Sequence, residues 1–218
     1  MPNAASEVYI QGLASVGFVA DSIPDFNQTN EVLLDATGWE LVAVEGIVDD
    51  QLFFQLLSEK KFPATTWLRS MAELDYLEEP DMFHDVFAHV PLLVNQSFVD
   101  FLQALAALAL EHLNDAWAIE LISRIYWFTI EFGLITEKEG LRIYGAGILS
   151  SAGETKFSLS EAPKRFDYDV RTILGTGFRK DTFQENYFIV TSYEQLYNSI
   201  DIIRDELNAK LAEIEFSK

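Results

Sequence analysis

Residues 83–91 read FHDVFAHVP, and this stretch decides how the rest of the sequence is interpreted. It contains His84 and His89, two of the three histidines in a chain of 218 residues. On an ideal α-helix five residues turn by about 140°, so the two imidazoles would not share one face. Pro91 disfavours the helical region for Val90 and cannot donate a backbone hydrogen bond. We therefore expect the helix to end near His89, where both imidazoles can converge on one metal ion.

A third ligand is predicted at Glu131, within the stretch IYWFTIEFGL of residues 125–134. A carboxylate among apolar neighbours is costly unless it is paired or bound to a metal. The structural alternatives are an ion pair of Glu131 with Arg124, and one core and one helix-capping histidine. Two histidines and one glutamate suit Fe(II) and oxygen chemistry, and with zinc the same set would make a hydrolase. These residues alone leave iron and zinc open.

Composition excludes several function classes. The chain has no cysteine, so disulfides, iron–sulfur clusters and thiolate catalysis are excluded and any metal needs His, Asp or Glu ligands. The formal charge of −20 opposes binding to nucleic acid or to anionic membranes. The longest apolar stretches, 98–110 and 116–134, are interrupted by charged or polar residues. No signal or transit peptide is recognisable at the N-terminus, and we expect a cytoplasmic protein.

Helical periodicity dominates the sequence, so the fold class is predicted to be mainly α. Gly38 is expected to end the first predicted helix, and Asp49 or Asp50 to begin the second. A hairpin is predicted from residues 134–136 and 141–144, and a short strand from 187–190. No repeat or linker divides residues 1–218, which we expect to form a single compact domain with a small sheet. The predicted helices are 31–37, 50–60, 98–112, 116–132 and 193–214.

The motif EPDMFHDVFAHVP of residues 79–91, followed by YWFTIEFGL of 126–134, resembles the pterin-dependent aromatic amino acid hydroxylases. The resemblance continues through YGAGILSS of residues 144–151 and through 153–154, and it extends back to 46–53 and 67–69. It therefore covers most of the chain in the order of the family. Asp85, after the first histidine of the motif, follows the bacterial members, whereas animal members carry Glu there. The resemblance implies the aromatic amino acid hydroxylase fold and favours iron over zinc.

The resemblance also implies a role for each matching residue. Fe(II) would be held by His84, His89 and Glu131, and O2 would be the co-substrate. Tetrahydrobiopterin or another tetrahydropterin would stack on the ring of Phe53 and contact Val48 and the side of the site on which Asp85 lies. Asp85 could instead be an acceptor that supports the neighbouring His84. The amino acid substrate would be held by Arg69, which Asp81 braces, and its pocket would be lined by Trp127, Phe132 and the expected loop containing Gly147, Ser150 and Ser151.

The substrate class follows from the same resemblance. Ile47 and Trp127 match the phenylalanine enzymes at two pocket positions, so hydroxylation of L-phenylalanine to L-tyrosine is favoured. A tryptophan hydroxylase of this family and a zinc hydrolase with the same ligands are the alternatives. The N-terminal extension of known relatives is expected to be absent, leaving residues 1–218 as the catalytic domain. We expect a monomer whose partners are the small-molecule amino acid and pterin.

Overall fold

Helix α4 (Gln96–Glu111) lies at the centre of the molecule, which is described by a computed structural model over residues 4–19, 21–70 and 79–215. The side chains of residues 214 and 215 are not described. The apolar residues of α4 recur at three-and-four spacing and are buried against helices on several sides. The buried residues of α4 are Phe98, Val99, Phe101, Leu102, Leu105, Ala106, Leu108 and Ala109.

The elements that precede α4 begin with a helical layer and a small parallel ribbon. They are α1 (Glu7–Ser15), α2 (Phe26–Ala36), β1 (Glu40–Val44), α3 (Asp50–Ser58) and β2 (Lys61–Thr65). Strands β1 and β2 are parallel, with Glu40 opposite Lys61, and α3 forms the crossover between them. A π-helical segment, π1 (Phe83–His89), and a 3₁₀ helix (Val90–Val94) then lead directly into α4.

The elements after α4 add further helices and a four-stranded sheet. They are α5 (Ala116–Tyr126), a second π-helical segment π2 (Trp127–Glu131), β3 (Leu134–Glu137), β4 (Gly140–Ile143), α6 (Ala146–Leu149), α7 (Ala152–Leu159), β5 (Lys164–Asp167), α8 (Val170–Gly175), β6 (Asn186–Val190), α9 (Tyr193–Tyr197) and α10 (Ile200–Glu215). The strand order of this sheet is β4-β3-β6-β5. The hairpin β3–β4 is antiparallel, and β6 is parallel to both β3 and β5.

Helix starts follow from side chains that accept hydrogen bonds from the first-turn N–H groups. Asp49 caps α3 through the N–H of Leu52, as the sequence predicted, and Asn95 caps α4 through the N–H of Phe98. Gly38 has φ of 75° just after α2 ends, as predicted for a left-handed residue at that position. Local sequence therefore determines these helix boundaries.

The predicted fold class is confirmed, and the deviations have physical causes. The hairpin and the last strand form as predicted, whereas the ribbon β1–β2 and strand β5 were not predicted. Both lie in short segments without a clean alternation of apolar and polar residues, and their pairing depends on distant partners. The prediction of a loop at residues 147–151 is wrong for residues 147–149, because these residues belong to helix α6.

None of the described helices is long and apolar enough to cross a membrane by itself. Two consecutive helical segments, 83–94 and 96–111, are together long and apolar enough, but the chain bends by 114° between them.

We expect Gly12→Ala to destabilise the fold next to π1. A methyl group on Gly12, in α1, would lie 1.9 Å from the carbonyl oxygen of Pro91 in the 3₁₀ helix. The backbones must separate to accommodate it, which costs about 1–3 kcal/mol of unfolding free energy, measured by urea denaturation. Gly175→Ala is the control, because a methyl group there would meet no atom within 4 Å beyond its own helix turn and φ is not positive. Equal midpoints for the two variants would contradict the close packing of α1.

Candidate metal centre and its pocket

The two histidines of the motif share one face because the segment that carries them is π-helical. In a π-helix the backbone hydrogen bonds join residues five apart, so His84 and His89 lie one above the other. Their Nε2 atoms are 3.2 Å apart. The π-helical segment ends at His89, as predicted, but Val90 keeps helical angles (φ −58°, ψ −38°) and the chain continues as a 3₁₀ helix instead of turning away. Pro91 fits there because it lies in the first turn.

Glu131 reaches the same point from the second π-helical segment. Here the N–H of Phe132 donates to the carbonyl of Trp127, five residues earlier, at 2.9 Å. The carboxylate of Glu131 lies 3.5 Å from His84 Nε2 and 3.2 Å from His89 Nε2. The alternative pairing with Arg124 is wrong, because Arg124 bonds to Glu120.

The spacing of the three ligand side chains fits a bound divalent metal. Ligands about 2.1 Å from one ion lie about 3.0 Å apart on an octahedral face and about 3.4 Å apart in a tetrahedron. The two histidine Nε2 atoms, 3.2 Å apart, fit either arrangement, and each lies 3.2–3.5 Å from one of the two carboxylate oxygens of Glu131. Within the part of the chain that the structure describes, these residues form the one group of His, Asp or Glu side chains close enough to share an ion. The site can hold a metal, and its distances suit iron and zinc alike.

The protonation states also suit metal binding. Burial opposes the ionisation of Glu131, but the neighbouring His89 and His84 and the N–H of Gly147 outweigh it and lower the pKa of Glu131 to about 2. Burial lowers the pKa of His84, although the charge of Glu131 acts in the opposite direction. At neutral pH the site therefore offers a carboxylate and a neutral His84 imidazole, which are the forms that bind metals.

A buried ion pair holds the first ligand in place. Asp81 is fully buried and accepts hydrogen bonds from Arg69 Nε at 3.0 Å and Arg69 Nη2 at 2.6 Å. It also accepts from the backbone N–H of His84 at 3.0 Å. Burial alone would raise the pKa of Asp81, but these donors lower it below its ordinary value. Ser150 completes the link, since its hydroxyl lies 2.8 Å from His84 Nδ1 and its carbonyl accepts from Arg69 Nη1 at 3.1 Å.

A cavity of about 700 Å³ opens beside the ligands. It brings together the predicted substrate residues, with Asp81 lying behind Arg69. The indole of Trp127 stacks on Phe178, with ring centroids 4.5 Å apart, and contacts Phe132 at 4.7 Å. The predicted residues lining the cavity are Ile47, Arg69, His84, Trp127, Glu131, Phe132, Gly147, Ser150 and Ser151.

The residues predicted to contact a pterin do not line this cavity. Val48 and Phe53 are partly buried, and the ring of Phe53 contacts the ring of Tyr126, with centroids 5.5 Å apart. Asp85 is buried and its Oδ2 accepts from the N–H and the hydroxyl of Thr65, both at 2.8 Å. These three residues lie outside the cavity lining, and Asp85 braces the end of β2.

Sequence reasoning missed several residues of the site. Burial and the charges of Glu131 and Asp85 raise the pKa of Tyr126 well above its ordinary value, so Tyr126 lies close to the metal ligands. Glu154 and the segment 180–184 also line the cavity. The apolar surroundings of Glu131 were a usable signal, but Tyr126 resembles any core aromatic and the segment 180–184 has no recognisable pattern.

Comparison with known proteins gives consistent matches. The family described as biopterin-dependent aromatic amino acid hydroxylase matches residues 4–216. Phenylalanine-4-hydroxylase of Ralstonia nicotianae is 46% identical over 200 residues, covering 91% of this chain and 64% of the relative. The Chromobacterium violaceum enzyme is 45% identical over 200 residues, covering 91% of this chain and 67% of the relative. This chain thus spans about two thirds of the length of these relatives.

Solved structures of phenylalanine hydroxylase from Chromobacterium violaceum have the same fold. The structure with bound Fe(III) superposes with a TM-score of 0.92 at 44% identity, covering 97% of this chain and 77% of that chain. A second structure, with iron(III) and 7,8-dihydrobiopterin bound, gives a TM-score of 0.91 at 44% identity, covering 98% and 77%. With the family match over residues 4–216, these findings establish that the chain belongs to the biopterin-dependent aromatic amino acid hydroxylase family.

Proposed function

We propose that this chain is a non-haem Fe(II), tetrahydropterin-dependent monooxygenase that hydroxylates L-phenylalanine to L-tyrosine with O2. The observation that carries the proposal is the convergence of His84, His89 and Glu131, two of which, His84 and Glu131, line a cavity that is also lined by Arg69. Relatives that are named phenylalanine-4-hydroxylase, and a relative's structure with iron and dihydrobiopterin bound, support the choice of iron and pterin. The chain would work as a single catalytic domain and as a cytoplasmic monomer.

The metal ligands fit iron in the 2-His-1-carboxylate arrangement, which leaves open positions on one side of the ion. Fe(II) with a tetrahydropterin would supply the activation of O2 for ring hydroxylation. Ser150 and His84 share a hydrogen bond through Nδ1, which leaves Nε2 of His84 free for the metal. Because the pKa of Glu131 is about 2, its carboxylate stays ionised at the pH of the cell.

Arg69 is suited to bind the carboxylate of the amino acid substrate. Its bonds to Asp81 and to the carbonyl of Ser150 use one N–H on each guanidinium nitrogen. Among the residues that the structure describes, a second N–H therefore remains on Nη1 and on Nη2, which matches the two oxygens of a carboxylate. The buried Asp81 keeps the plane of the guanidinium fixed, and Arg69 lines the cavity, where these donors would meet the substrate. Trp127 and Phe132 would enclose the aromatic ring and exclude water.

The pterin would lie on the other side of the ligands. Phe53 offers a partly buried ring for stacking, and its contact with Tyr126 places it near the metal side. The described hydrogen bonds to Asp85 both go to Oδ2, so within the described part of the chain Oδ1 is left to accept from a pterin N–H. Val48 would complete the contact surface.

We expect Fe(II)-loaded protein to form tyrosine from L-phenylalanine when it receives a tetrahydropterin and O2. The apolar wall of the cavity would contact the aromatic ring of this substrate, and the Arg69 donors would bind its carboxylate. Chromatography of the products measures tyrosine, and absorbance measures pterin oxidation, with L-tryptophan as the competing substrate. Stoichiometric zinc in the isolated protein, with no product after anaerobic Fe(II) loading, would reject the iron enzyme in favour of the zinc hydrolase. Faster hydroxylation of tryptophan would reassign the substrate.

We expect His89→Ala to abolish stoichiometric Fe(II) binding, because the remaining histidine and carboxylate cannot complete the three-ligand set. Ser150→Ala should weaken binding about 10- to 100-fold, since the hydrogen bond that orients His84 is lost. Anaerobic titration calorimetry measures both effects. His112→Ala removes the histidine at the C-terminal end of α4 and serves as the control. Wild-type affinity in His89→Ala would refute the ligand assignment.

We expect Arg69→Lys to raise the KM for phenylalanine about 10- to 100-fold, because an ammonium group cannot offer two parallel N–H donors to the carboxylate. Steady-state rates at saturating pterin measure KM and kcat. Arg142→Lys, which alters a guanidinium paired with the exposed Glu139, is the matched control. An unchanged KM in a folded Arg69→Lys protein would exclude Arg69 as the carboxylate ligand.

A further inference from the structure

Two buried polar side chains at the edge of the cavity have no part in the proposed metal or carboxylate binding. Glu154, on α7, is 4% exposed, and Gln184, just before β6, is 5% exposed. Burying such groups is costly unless their hydrogen bonds are satisfied, so their partners indicate what they stabilise. Both also line the cavity.

Gln184 connects Trp127, in the wall of the cavity, to residues 179–184, most of which also line the cavity. Its Oε1 accepts from the indole N–H of Trp127 at 2.9 Å. Its Nε2 donates to the carbonyls of Arg179 at 2.8 Å and Thr182 at 3.2 Å. One amide side chain thus orients the indole of Trp127 and also holds the backbone of residues 179–184 in a turn at the edge of the cavity.

Glu154 holds Gln184 in turn. Its Oε1 accepts from the backbone N–H of Gln184 at 3.0 Å and from the hydroxyl of the buried Tyr187. Burial raises the pKa of Glu154, and these two donors oppose the shift. Both donors that stabilise its carboxylate are neutral groups, a backbone N–H and a hydroxyl.

Trp127 is the residue through which this network reaches the metal centre. It is the first residue of π2, and Glu131 is the last. Its indole is stacked on Phe178 and lies against Phe132, so its ring plane is fixed by these ring contacts and by the bond at Nε1. A rotation of the indole would change the shape of the cavity, which Trp127 lines.

We propose that Gln184 is a positioning residue for the amino acid pocket, which orients the Trp127 indole and closes residues 179–184, and that Glu154 fixes Gln184. The substrate part of this inference rests on the proposed function. With the indole oriented, an aromatic ring in the cavity would have one wall to pack against and would be held in one position relative to the metal ligands. Without the network the ring would be held less tightly and in more than one orientation.

The experiment compares Gln184→Leu, Glu154→Leu and the conservative Glu154→Gln. Gln184→Leu removes the bonds to Trp127, and Glu154→Gln keeps a carbonyl oxygen to accept from Gln184. Gln103→Leu is the control, because Gln103 donates a hydrogen bond to the carbonyl of Ser58 away from the cavity. Calorimetry on anaerobic Fe(II)-loaded protein measures the Kd for L-phenylalanine, and turnover gives the tyrosine formed per tetrahydropterin oxidised. Amide hydrogen exchange of residues 179–184 reports on the network without substrate, iron or turnover.

We expect Gln184→Leu to raise the Kd for phenylalanine about tenfold, the loss expected for one buried hydrogen bond. Tyrosine per oxidised pterin should fall, and exchange at residues 179–184 should become faster. Glu154→Leu should do the same, and Glu154→Gln should stay near wild type. In a double-mutant cycle, Trp127→Phe and Gln184→Leu should be non-additive, since they break the same bond.

The inference is overturned if Gln184→Leu lowers the melting temperature like Gln103→Leu but leaves the Kd and the product ratio unchanged. It is also overturned if Glu154→Gln is as impaired as Glu154→Leu, or if the effects in the cycle add. Should Glu154→Leu fail to fold, Gln184→Leu and the cycle decide. Failure of wild-type protein to form tyrosine would reject the proposed function, whereas unchanged amide exchange in Gln184→Leu would reject the network itself.

Discussion

The π-helical hydrogen bonding of two short segments is the constraint on which the metal centre depends. An α-helix would turn His84 and His89 away from each other, whereas bonding between residues five apart places them on one face. The second π-helical segment carries Glu131 as its last residue, and its wider turn brings the carboxylate of Glu131 towards the two histidines. Such turns are less favourable than α-helix, and each is held by its neighbours: the hydroxyl of Tyr9 donates to the carbonyl of Phe87 in π1. Gly145 allows the close approach to π2, because a methyl group there would lie 2.4 Å from the carbonyl oxygen of Glu131.

Buried polar groups connect the metal ligand His84 to Arg69, the proposed ligand of the substrate carboxylate. Asp81 bonds both to the N–H of His84 and to the guanidinium of Arg69, and Ser150 contacts both of these residues. Neither link passes through a metal, so the geometry of the ligands is established by the protein. An amino acid carboxylate bound at Arg69 would therefore lie at a fixed distance from the metal, which is the requirement for directing the reaction to one position of a ring.

The sequence predicted the residues that are close in the chain or chemically conspicuous. His84 and His89 are five residues apart in a chain with few histidines, and Glu131 stands among apolar residues. Periodicity predicted helices that overlap α2, α3, α4, α5, α9 and α10, but α1, α6, α7 and α8 were not predicted. The segments 116–132 and 193–214, each predicted as one helix, are divided in the structure. The π-helical form could not be predicted, since the same residues are compatible with an α-helix and only tertiary contacts select the wider turn. The hydrogen bond between Trp127 and Gln184 joins residues that are 57 positions apart in the sequence. The sequence around either residue contains no pattern that predicts this contact.

Three carboxylates of the site illustrate why residue type alone does not determine function. The chain has 35 acidic and 15 basic residues, so cations are scarce. Asp81 uses one of them, Arg69, and its pKa is lowered. Glu131 faces two imidazoles and remains ionised, ready for a metal. Glu154 has a backbone N–H and a hydroxyl as donors, and burial raises its pKa. A carboxylate that is stabilised by a peptide N–H fixes the backbone at that residue, and in this structure the fixed residue is Gln184. The same chemical group thus serves as a brace, a ligand and an anchor, according to the donors that the fold places around it.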